Sequence, residues 1–237
     1  MRIKFRFRAI PFVATLILIS LGVALGQWQT RRAVEKEAIE TKLISRQALA
    51  PVRLGEALLS PDEVEYRRVT VRGEFVPSWP VYLDNRPLHG AAGFYLLMPF
   101  HIADTGRYVL VARGWVPRSP IERTRLPTLT TPVGRIEIEG VARRNPGRLL
   151  NLGANQTVAP ATIVQNLDIA AFGAASKLPL QPFLLEQTSA TSDGLVRDWP
   201  RPSSGAEVHR GYAFQWYALA LMTLIFFIAT GFRNGKK

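Results

Sequence analysis

Two long apolar runs, one near each end of the chain, constrain the fold most strongly. Residues 9–25 carry no charged side chain, and residues 212–232 form a second uncharged run. A helix rises about 1.5 Å per residue, so about 17 to 25 residues cross the hydrocarbon core of a membrane. The sequence therefore predicts transmembrane helices over 9–28 and 212–232. Pro11 is compatible with the first of them because proline is tolerated in the opening turn of a helix.

The first run has an alternative interpretation as a cleaved signal peptide. Basic residues precede it, and the letters "ALG" that end at Gly26 resemble a cleavage site. The run is longer than the usual signal-peptide core of about 7 to 15 residues, which favours an uncleaved anchor. Gly22 and Gly26 also form a G-x-x-x-G pattern, which predicts close approach of another helix. Small residues without a packing role are the alternative explanation of that pattern.

The distribution of charge predicts the topology. The chain has a formal net charge of +12, and the tails 1–8 and 233–237 contain basic but no acidic residues. Basic tails beside membrane helices indicate cytoplasmic ends near anionic lipid, and not arms that bind nucleic acid. Arg31 and Arg32, just beyond the first helix, weaken this signal. We still expect both termini in the cytoplasm and residues 29–211 outside it, in the periplasm of a Gram-negative cell.

Residues 29–211 are numerous enough for one globular domain. The absence of cysteine excludes disulfides, iron–sulfur clusters and thiolate metal sites. We expect the first helix to continue, exposed, to about Ala50, and the stretch 193–211 to be a linker back to the membrane. Segments rich in β-branched and aromatic residues, separated by Gly, Pro, Asn or Asp, predict strands. These are 66–76, 80–87, 93–102, 107–117, 134–143, 161–166 and 182–187, with a short helix at 167–177.

The predicted fold class is therefore an α+β membrane protein. Two terminal transmembrane helices flank a β-rich extracytoplasmic domain, expected to be an antiparallel barrel or sandwich with one or two helices.

The sequence contains no recognisable catalytic constellation. It has no G-x-S-x-G, no H-E-x-x-H, no phosphate-binding glycine loop and no cysteine nucleophile. His89 and His101 fall on separate predicted strands without an accompanying acidic pattern. Three glutamates in the charged continuation of the first helix are expected to form a solvated face: Glu35, Glu37 and Glu40. The sequence predicts that the protein is not an enzyme.

The start of the second apolar run carries the candidate binding residues. His209, Tyr212 and Trp216 stand at spacings of three and four, so a helix places them on one side. A neutral imidazole can ligate haem iron, and neighbouring aromatic rings can flank a porphyrin. Tyrosine and tryptophan also gather at the membrane interface for other reasons, and spacing alone favours this interfacial interpretation.

Six phrases, in order along nearly the whole chain, resemble the surfeit locus protein 1 family of cytochrome c oxidase assembly factors. The first matches Gly26, Trp28, Gln29, Arg32 and Lys36 to a family signature, and the last matches His209, Tyr212, Ala213 and Trp216. The phrases are "GQWQTRRAVEKEAI", "RRVTVRGEF", "VYLDNR", "GFYLLMPF", "VLVARGWVP" and "HRGYAFQWYALAL".

The resemblance implies a bacterial inner-membrane protein that assists haem a entry into the catalytic subunit of cytochrome c oxidase, with haem a synthase as a further partner. The histidine at the position of His209 is the family's proposed iron ligand. Tyr212 and Trp216 would line the ring, Trp28 belongs to the same expected site, and Arg32 could pair with a haem propionate.

Two departures and one rival function accompany this expectation. Glu207 and Val208 stand where many relatives have paired asparagines, and Ala112 stands where asparagine is frequent. The rival is a membrane-tethered scaffold that holds oxidase subunits together without touching haem and docks them through an exposed edge or apolar patch.

Overall fold

A computed structural model describes residues 5–122, 124–147, 157–200 and 205–233, with only the backbone described for Arg233. The outermost tail residues and the stretch 148–156 lie outside the described residues. The chain divides into two compact units. One consists of Met1–Lys42 with Arg201–Lys237, and the other of Leu43–Pro200.

Two long helices dominate the first unit. Helix α1 runs from Ala9 to Ala48 without interruption, and the last helix, α4, runs from Ala206 to Arg233. Both are long and apolar enough to cross a membrane. The predicted continuation of the first helix beyond residue 28 is confirmed. It ends just before Pro51, because the residue that precedes a proline disfavours helical geometry.

The two helices pack against each other in antiparallel directions through small residues. A Cβ atom at Gly22 would lie 3.0 Å from the Cβ of Ala220, and one at Gly26 would lie 2.6 Å from the ring of Tyr217. At the opposite end of the pair, the ring of Phe5 lies 5.3 Å from that of Phe232. The predicted G-x-x-x-G face is therefore a helix-packing face, and its partner is the second apolar helix of the same chain.

The second unit contains a β-sheet and two short helices. The elements in chain order are β1 (Val52–Arg53), α2 (Pro61–Val64), β2 (Arg68–Phe75), β3 (Val81–Leu83), β4 (Gly93–Ile102), β5 (Tyr108–Pro117), β6 (Ile136–Arg143), β7 (Thr162–Val164), α3 (Ile169–Ser176) and β8 (Leu180–Gln187). All seven predicted strands and the predicted helix at 167–177 are present. Their bounds are shorter than predicted or equal, except that β8 begins at Leu180, two residues before the predicted start. The elements β1 and α2 were not predicted from the sequence.

The sheet closes into a barrel. Its strand order is β1-β2-β6-β8-β5-β4-β3-β7, and an additional pairing of β2 with β4 joins five of these strands into a ring. The ring closes at Gly73, which pairs with Ile136 of β6 and with Ile102 of β4. The predicted α+β class with a β-barrel is confirmed.

The expected antiparallel arrangement holds for most strand pairs but not for all of them. Three strand pairs are parallel: β1 with β2, β3 with β7 and β5 with β8. Parallel neighbours need a long crossover connection, and for β5 and β8 the chain between them, which includes β6, β7 and α3, supplies it. The short strand β7 pairs with β3, which lies far earlier in the sequence. Its direction therefore does not follow from the up-and-down alternation of consecutive strands.

The barrel interior is apolar. Phe100, Met98, Val111 and Leu185 belong to a cluster of buried side chains contributed by several strands of the ring. Full burial of a side chain of this size contributes about 1.5–3 kcal/mol. A second cluster packs α3 against the sheet through Phe172, which is fully buried.

The interpretation of 193–211 as a linker is wrong for its first part. Val196 pairs with Trp115 of β5 through two backbone hydrogen bonds, and Asp193 is buried beside the barrel. The segment continues the sheet because Asp193 forms an ion pair with Arg113, whose side chain is fully buried. The start of this polar, proline-containing stretch is therefore attached to the barrel, although its composition is typical of a linker.

Candidate functional site at the start of α4

His209 lies in the first turn of α4. Gly205 precedes the helix with a φ of +56°, and its carbonyl oxygen accepts hydrogen bonds from the backbone N–H groups of Val208 and His209. A positive φ suits glycine, which has no Cβ to clash with the backbone. Gly205 therefore allows the chain to turn into the helix so that the imidazole stands at the beginning of the apolar segment.

Gln29 of α1 holds the imidazole ring. The Nδ1 atom of His209 lies 2.6 Å from the Oε1 atom of Gln29. An amide oxygen only accepts hydrogen bonds, so the proton must be on Nδ1, and a neutral imidazole then keeps its lone pair on Nε2. Histidines that bind metals are oriented in this way, with the second ring nitrogen donating to an oxygen.

The candidate aromatic residues flank this pair without stacking on one another. Tyr212 and Trp216 follow His209 on α4, and Trp28 directly precedes Gln29 on α1. Tyr212 and Trp28 are about half exposed, at 49% and 48%. Among the described residues, no ring contact joins Trp28, Tyr212 and Trp216. Tyr212 and Trp28 therefore expose surface that lipid or a flat apolar ligand can contact, whereas Trp216 is half-buried.

Arg32 forms an ion pair within its own helix. Its Nη1 atom lies 2.7 Å from the Oε2 atom of Glu35, and both side chains are largely exposed. Exposed pairs of this kind contribute about 0–1 kcal/mol, so a stronger carboxylate ligand could displace Glu35 at little cost. The structure does not bring Arg32 into contact with His209 within the described residues.

Arg210 provides a second polar contact between the helices. It lies 2.7 Å from Glu37 of α1 and 4.0 Å from Glu207, one turn earlier in α4. Glu207 is also favoured where it stands, because a helix N-terminus attracts negative charge. Glu35 and Glu40 are exposed, as expected for a solvated face, whereas Glu37 is half-buried beside Arg210.

Sequence reasoning missed the roles of Gln29, Glu37 and Arg210. A signal for the first two was present: Gln29, Ala33 and Glu37 follow Gly26 at spacings of three and four, on the helix face that packs against α4. Polar residues that extend a helix-packing face beyond the apolar run predict polar contacts with the partner helix.

The described part of the barrel unit offers no comparable site. His89 lies in a turn and not in a strand, 3.0 Å from Asp198, and His101 lies 3.9 Å from Glu74. Within the described ranges, no group of three or more His, Asp or Glu side chains is placed to hold a metal ion. A cavity of about 330 Å³ beside the start of α3 contains none of the five candidate residues.

Comparison with known proteins places these residues in a family. The family model of the SURF1 family matches residues 16–221, a stretch that includes all five candidate residues. The chain belongs to the SURF1 family. The resemblance seen in the sequence is thereby confirmed.

Individual relatives agree with this membership. A SURF1-like protein of the bacterium Rickettsia felis is 25% identical over 223 residues, which cover 91% of this chain and 94% of that protein. A SURF1-like protein of Drosophila melanogaster is 30% identical over 56% of this chain, and the aligned part spans about half, 49%, of the fly protein. The cytochrome oxidase assembly protein SHY1 of Saccharomyces cerevisiae is 31% identical over 41% of this chain and 25% of its own length.

Proposed function

We propose that this protein is a membrane-anchored assembly factor for cytochrome oxidase. Membership of the SURF1 family supports the proposal, as does the name of the yeast relative, a cytochrome oxidase assembly protein. Two helices long enough to cross a membrane support the anchoring. The absence of a catalytic motif in the sequence agrees with a chaperone and not an enzyme.

The finer proposal is that the protein handles haem a as its cargo through His209. The hydrogen bond from Nδ1 of His209 to Gln29 carries this proposal, because it leaves Nε2 to donate its lone pair to a metal. Haem iron accepts such a lone pair from an imidazole nitrogen. The Nε2 atom of His209 is therefore a suitable ligand for haem iron. A single protein ligand gives a weak site, which suits a protein that must release what it binds.

The remaining candidates have supporting roles in this proposal. Tyr212, Trp216 and Trp28 contact the apolar ring, and Arg32 exchanges Glu35 for a haem propionate. The catalytic subunit of cytochrome c oxidase receives the haem, and haem a synthase supplies it. The basic residues of the two tails favour an orientation with both tails in the cytoplasm and the barrel in the periplasm of a bacterial inner membrane.

A scaffold that never binds haem is the second candidate function. The ion pair between Arg32 and Glu35 favours it, because the guanidinium group already has a carboxylate partner. In this case Tyr212 and Trp28 serve only as interfacial anchors.

Absorption spectra of protein purified from cells that make haem a test the proposal. We expect a Soret band and an α-band in the wild type, and the loss of both in His209→Ala. The matched control is His89→Ala, which removes an exposed histidine of the barrel unit and should leave the spectrum unchanged. Gln29→Leu should lower the affinity for haem about 10- to 100-fold, because loss of an orienting hydrogen bond has an effect of this size in metal sites.

Three outcomes contradict parts of the proposal. Equal spectra of the wild type and His209→Ala would exclude His209 as the ligand. Unchanged haem affinity in Gln29→Leu would exclude an orienting role for the amide. Absence of haem from the wild type, with oxidase assembly failing when the gene is deleted, would leave the assembly function and favour the scaffold.

A further inference from the structure

Gln215 is a polar residue of α4 that the haem proposal does not use. It lies inside the uncharged run 212–232, and its side chain is exposed. Its side-chain amide forms no hydrogen bond with any other residue that the structure describes. Thr223 and Thr230 of the same helix donate to the carbonyl oxygens of Leu219 and Phe226, four residues earlier in each case. An amide in hydrocarbon without such a partner is unfavourable, so Gln215 requires one from outside the chain.

Helix α1 cannot supply this partner. The face of α4 that packs against α1 includes the buried residues Ala213 and Ala220, and Tyr217. Successive residues of a helix are about 100° apart, so Gln215 lies about 160° around the helix from both Ala213 and Tyr217. The amide therefore faces almost directly away from α1. It also lies about 120° from His209, on a different side from the candidate haem site.

Gly211 lies on the same face, one turn before Gln215. A Cβ atom added to Gly211 would meet nothing within 4 Å, so no contact inside the chain requires a glycine there. Glycine weakens a helix relative to alanine, but it allows a second helix backbone to approach closely. Ala218 and Met222 continue this face one and two turns after Gln215.

We propose that the face formed by Gly211, Gln215, Ala218 and Met222, the Gln215 face, binds the same face of a second copy of this chain within the membrane. The proposal rests on the membrane anchoring proposed above. Two copies inserted with the same orientation necessarily place their Gln215 side chains at the same depth. A carbamoyl group contains both a donor and an acceptor, so two of them satisfy each other through reciprocal hydrogen bonds.

A helix of another protein would fit less readily. It would need its own polar side chain at the depth of Gln215, whereas a second copy supplies one automatically. The small side chains at Gly211 and Ala218, on either side of the amide, allow the two helices to approach within hydrogen-bonding reach. The pairing leaves His209 outside the interface, so each copy retains its own candidate haem site.

Cysteine crosslinking in native membranes tests the proposal, because the full chain contains no cysteine. Two cysteines form a disulfide only when their Cα atoms are within about 7 Å. Met222→Cys reports on the Gln215 face. Leu221→Cys is the matched control, since it is adjacent in depth and similarly exposed, at 57% against 64%, but points about 100° away.

We expect oxidation to give a disulfide-linked dimer with Met222→Cys and little or none with Leu221→Cys. Adding Gln215→Leu to Met222→Cys should lower the dimer yield about threefold or more, the scale of an interhelical hydrogen bond in a membrane. Gly211→Leu, which blocks close approach without touching the amide, should lower it independently.

Several results would overturn the proposal. Equal dimer yields at the two cysteine positions indicate random collision, and absence of a dimer with Met222→Cys excludes this interface. An unchanged dimer yield on adding Gln215→Leu would show that the amide does not contribute to the interface. A crosslinked product of another mass would show that the partner is a different protein. Extraction of the membranes with alkaline carbonate tests the membrane anchoring separately. Carbonate releases a protein that is not anchored, so a protein that stays in the membrane but forms no dimer contradicts only the Gln215 interface.

Discussion

Arg113 lies in a strand whose other residues are mostly apolar, and its side chain has no exposed surface. Its guanidinium group donates to Thr131 and to the carboxylate of Asp193, and it lies over the ring of Phe75. Arg197 donates to the same carboxylate oxygen of Asp193 at 2.6 Å. Burial lowers the pKa of Arg113, whereas the hydrogen bond and charge of Asp193 raise it. The carboxylate thus compensates charge that the barrel could not otherwise hold.

Removal of this carboxylate should destabilise the barrel strongly. We expect Asp193→Asn to reduce the free energy of unfolding by about 3–5 kcal/mol, because Arg113 is left buried without its counter-charge. For a domain of this size the melting temperature should fall by about 6–20 °C. Thermal unfolding of the full-length protein in detergent, followed by circular dichroism, measures this change.

Asp84→Asn is the control for that measurement. It removes an ion pair with Arg118 whose side chains are 22% and 28% exposed, and its effect should be about 1 kcal/mol or less. Similar decreases in melting temperature in the two variants would show that the buried Asp193 pair stabilises the barrel no more than the partly exposed pair does.

The pH dependence of the same variant gives a second test. Burial would raise the pKa of Asp193, but hydrogen bonds from Arg197, Thr191 and Arg113 outweigh it, and the pKa is lowered. A lowered pKa contributes stability above the unfolded value of about 3.9, and that contribution is lost as the pH falls through the folded-state pKa. The difference in the free energy of unfolding between wild type and Asp193→Asn should therefore be largest at pH 7 and should become smaller below about pH 4.

At the residue scale, sequence patterns found His209 but not the residues that organise its surroundings. His209 was identifiable because a rare histidine stands at the edge of an apolar run. The partner amide of Gln29 is 180 residues away along the chain, and only the packing of α1 on α4 brings the two together. Burial of Arg113 was hidden for the same reason, since its partner Asp193 lies 80 residues later.

At the scale of elements, Gly73 determines how the barrel closes. It lies where β2 passes from β6 to β4, and a Cβ atom there would overlap the backbone carbonyl oxygen of His101. We expect Gly73→Ala to separate β2 from β4 and to cost about 1–3 kcal/mol or more, as overpacking does. Hydrogen exchange at the amides of Val76 and Ala103, which bond across this junction, should become faster.

Gly55→Ala provides the comparison for Gly73→Ala. A Cβ atom at Gly55 would meet nothing within 4 Å, so this change should stay within about 0.5 kcal/mol. Retained protection of Val76 and Ala103 in Gly73→Ala would mean that closure does not depend on the missing side chain.

Strand prediction succeeded where the local pattern is strong. The bounds of β4 coincide with the predicted 93–102, because the ten residues are mostly apolar or aromatic and are bounded by turn residues. The two-residue strand β1 was missed because a segment of this length has no periodicity of its own. Its pairing with β2 is set by the barrel and not by its residues. The parallel pairs were missed because strand direction depends on connections that propensity does not encode.

At the scale of the whole molecule, the barrel unit contains its own hydrophobic core. The three clusters of buried apolar residues lie entirely within Leu43–Pro200, and so does the network around Asp193. Stability of a domain depends on such internal packing. The helix unit, in contrast, exposes long apolar faces that water would not tolerate.

This division predicts that a fragment of residues 43–200 folds without the two long helices. We expect it to be soluble and monomeric, to unfold cooperatively, and to lose the same 3–5 kcal/mol on Asp193→Asn as the full chain, because sites that share no partners contribute independently. An aggregated or unfolded fragment would show that the barrel requires the helices. In cells lacking the gene, the fragment should not restore oxidase assembly, because it lacks His209 and its partner Gln29. Restoration by the fragment alone would assign assembly to the barrel and would leave the helices with no role beyond attachment.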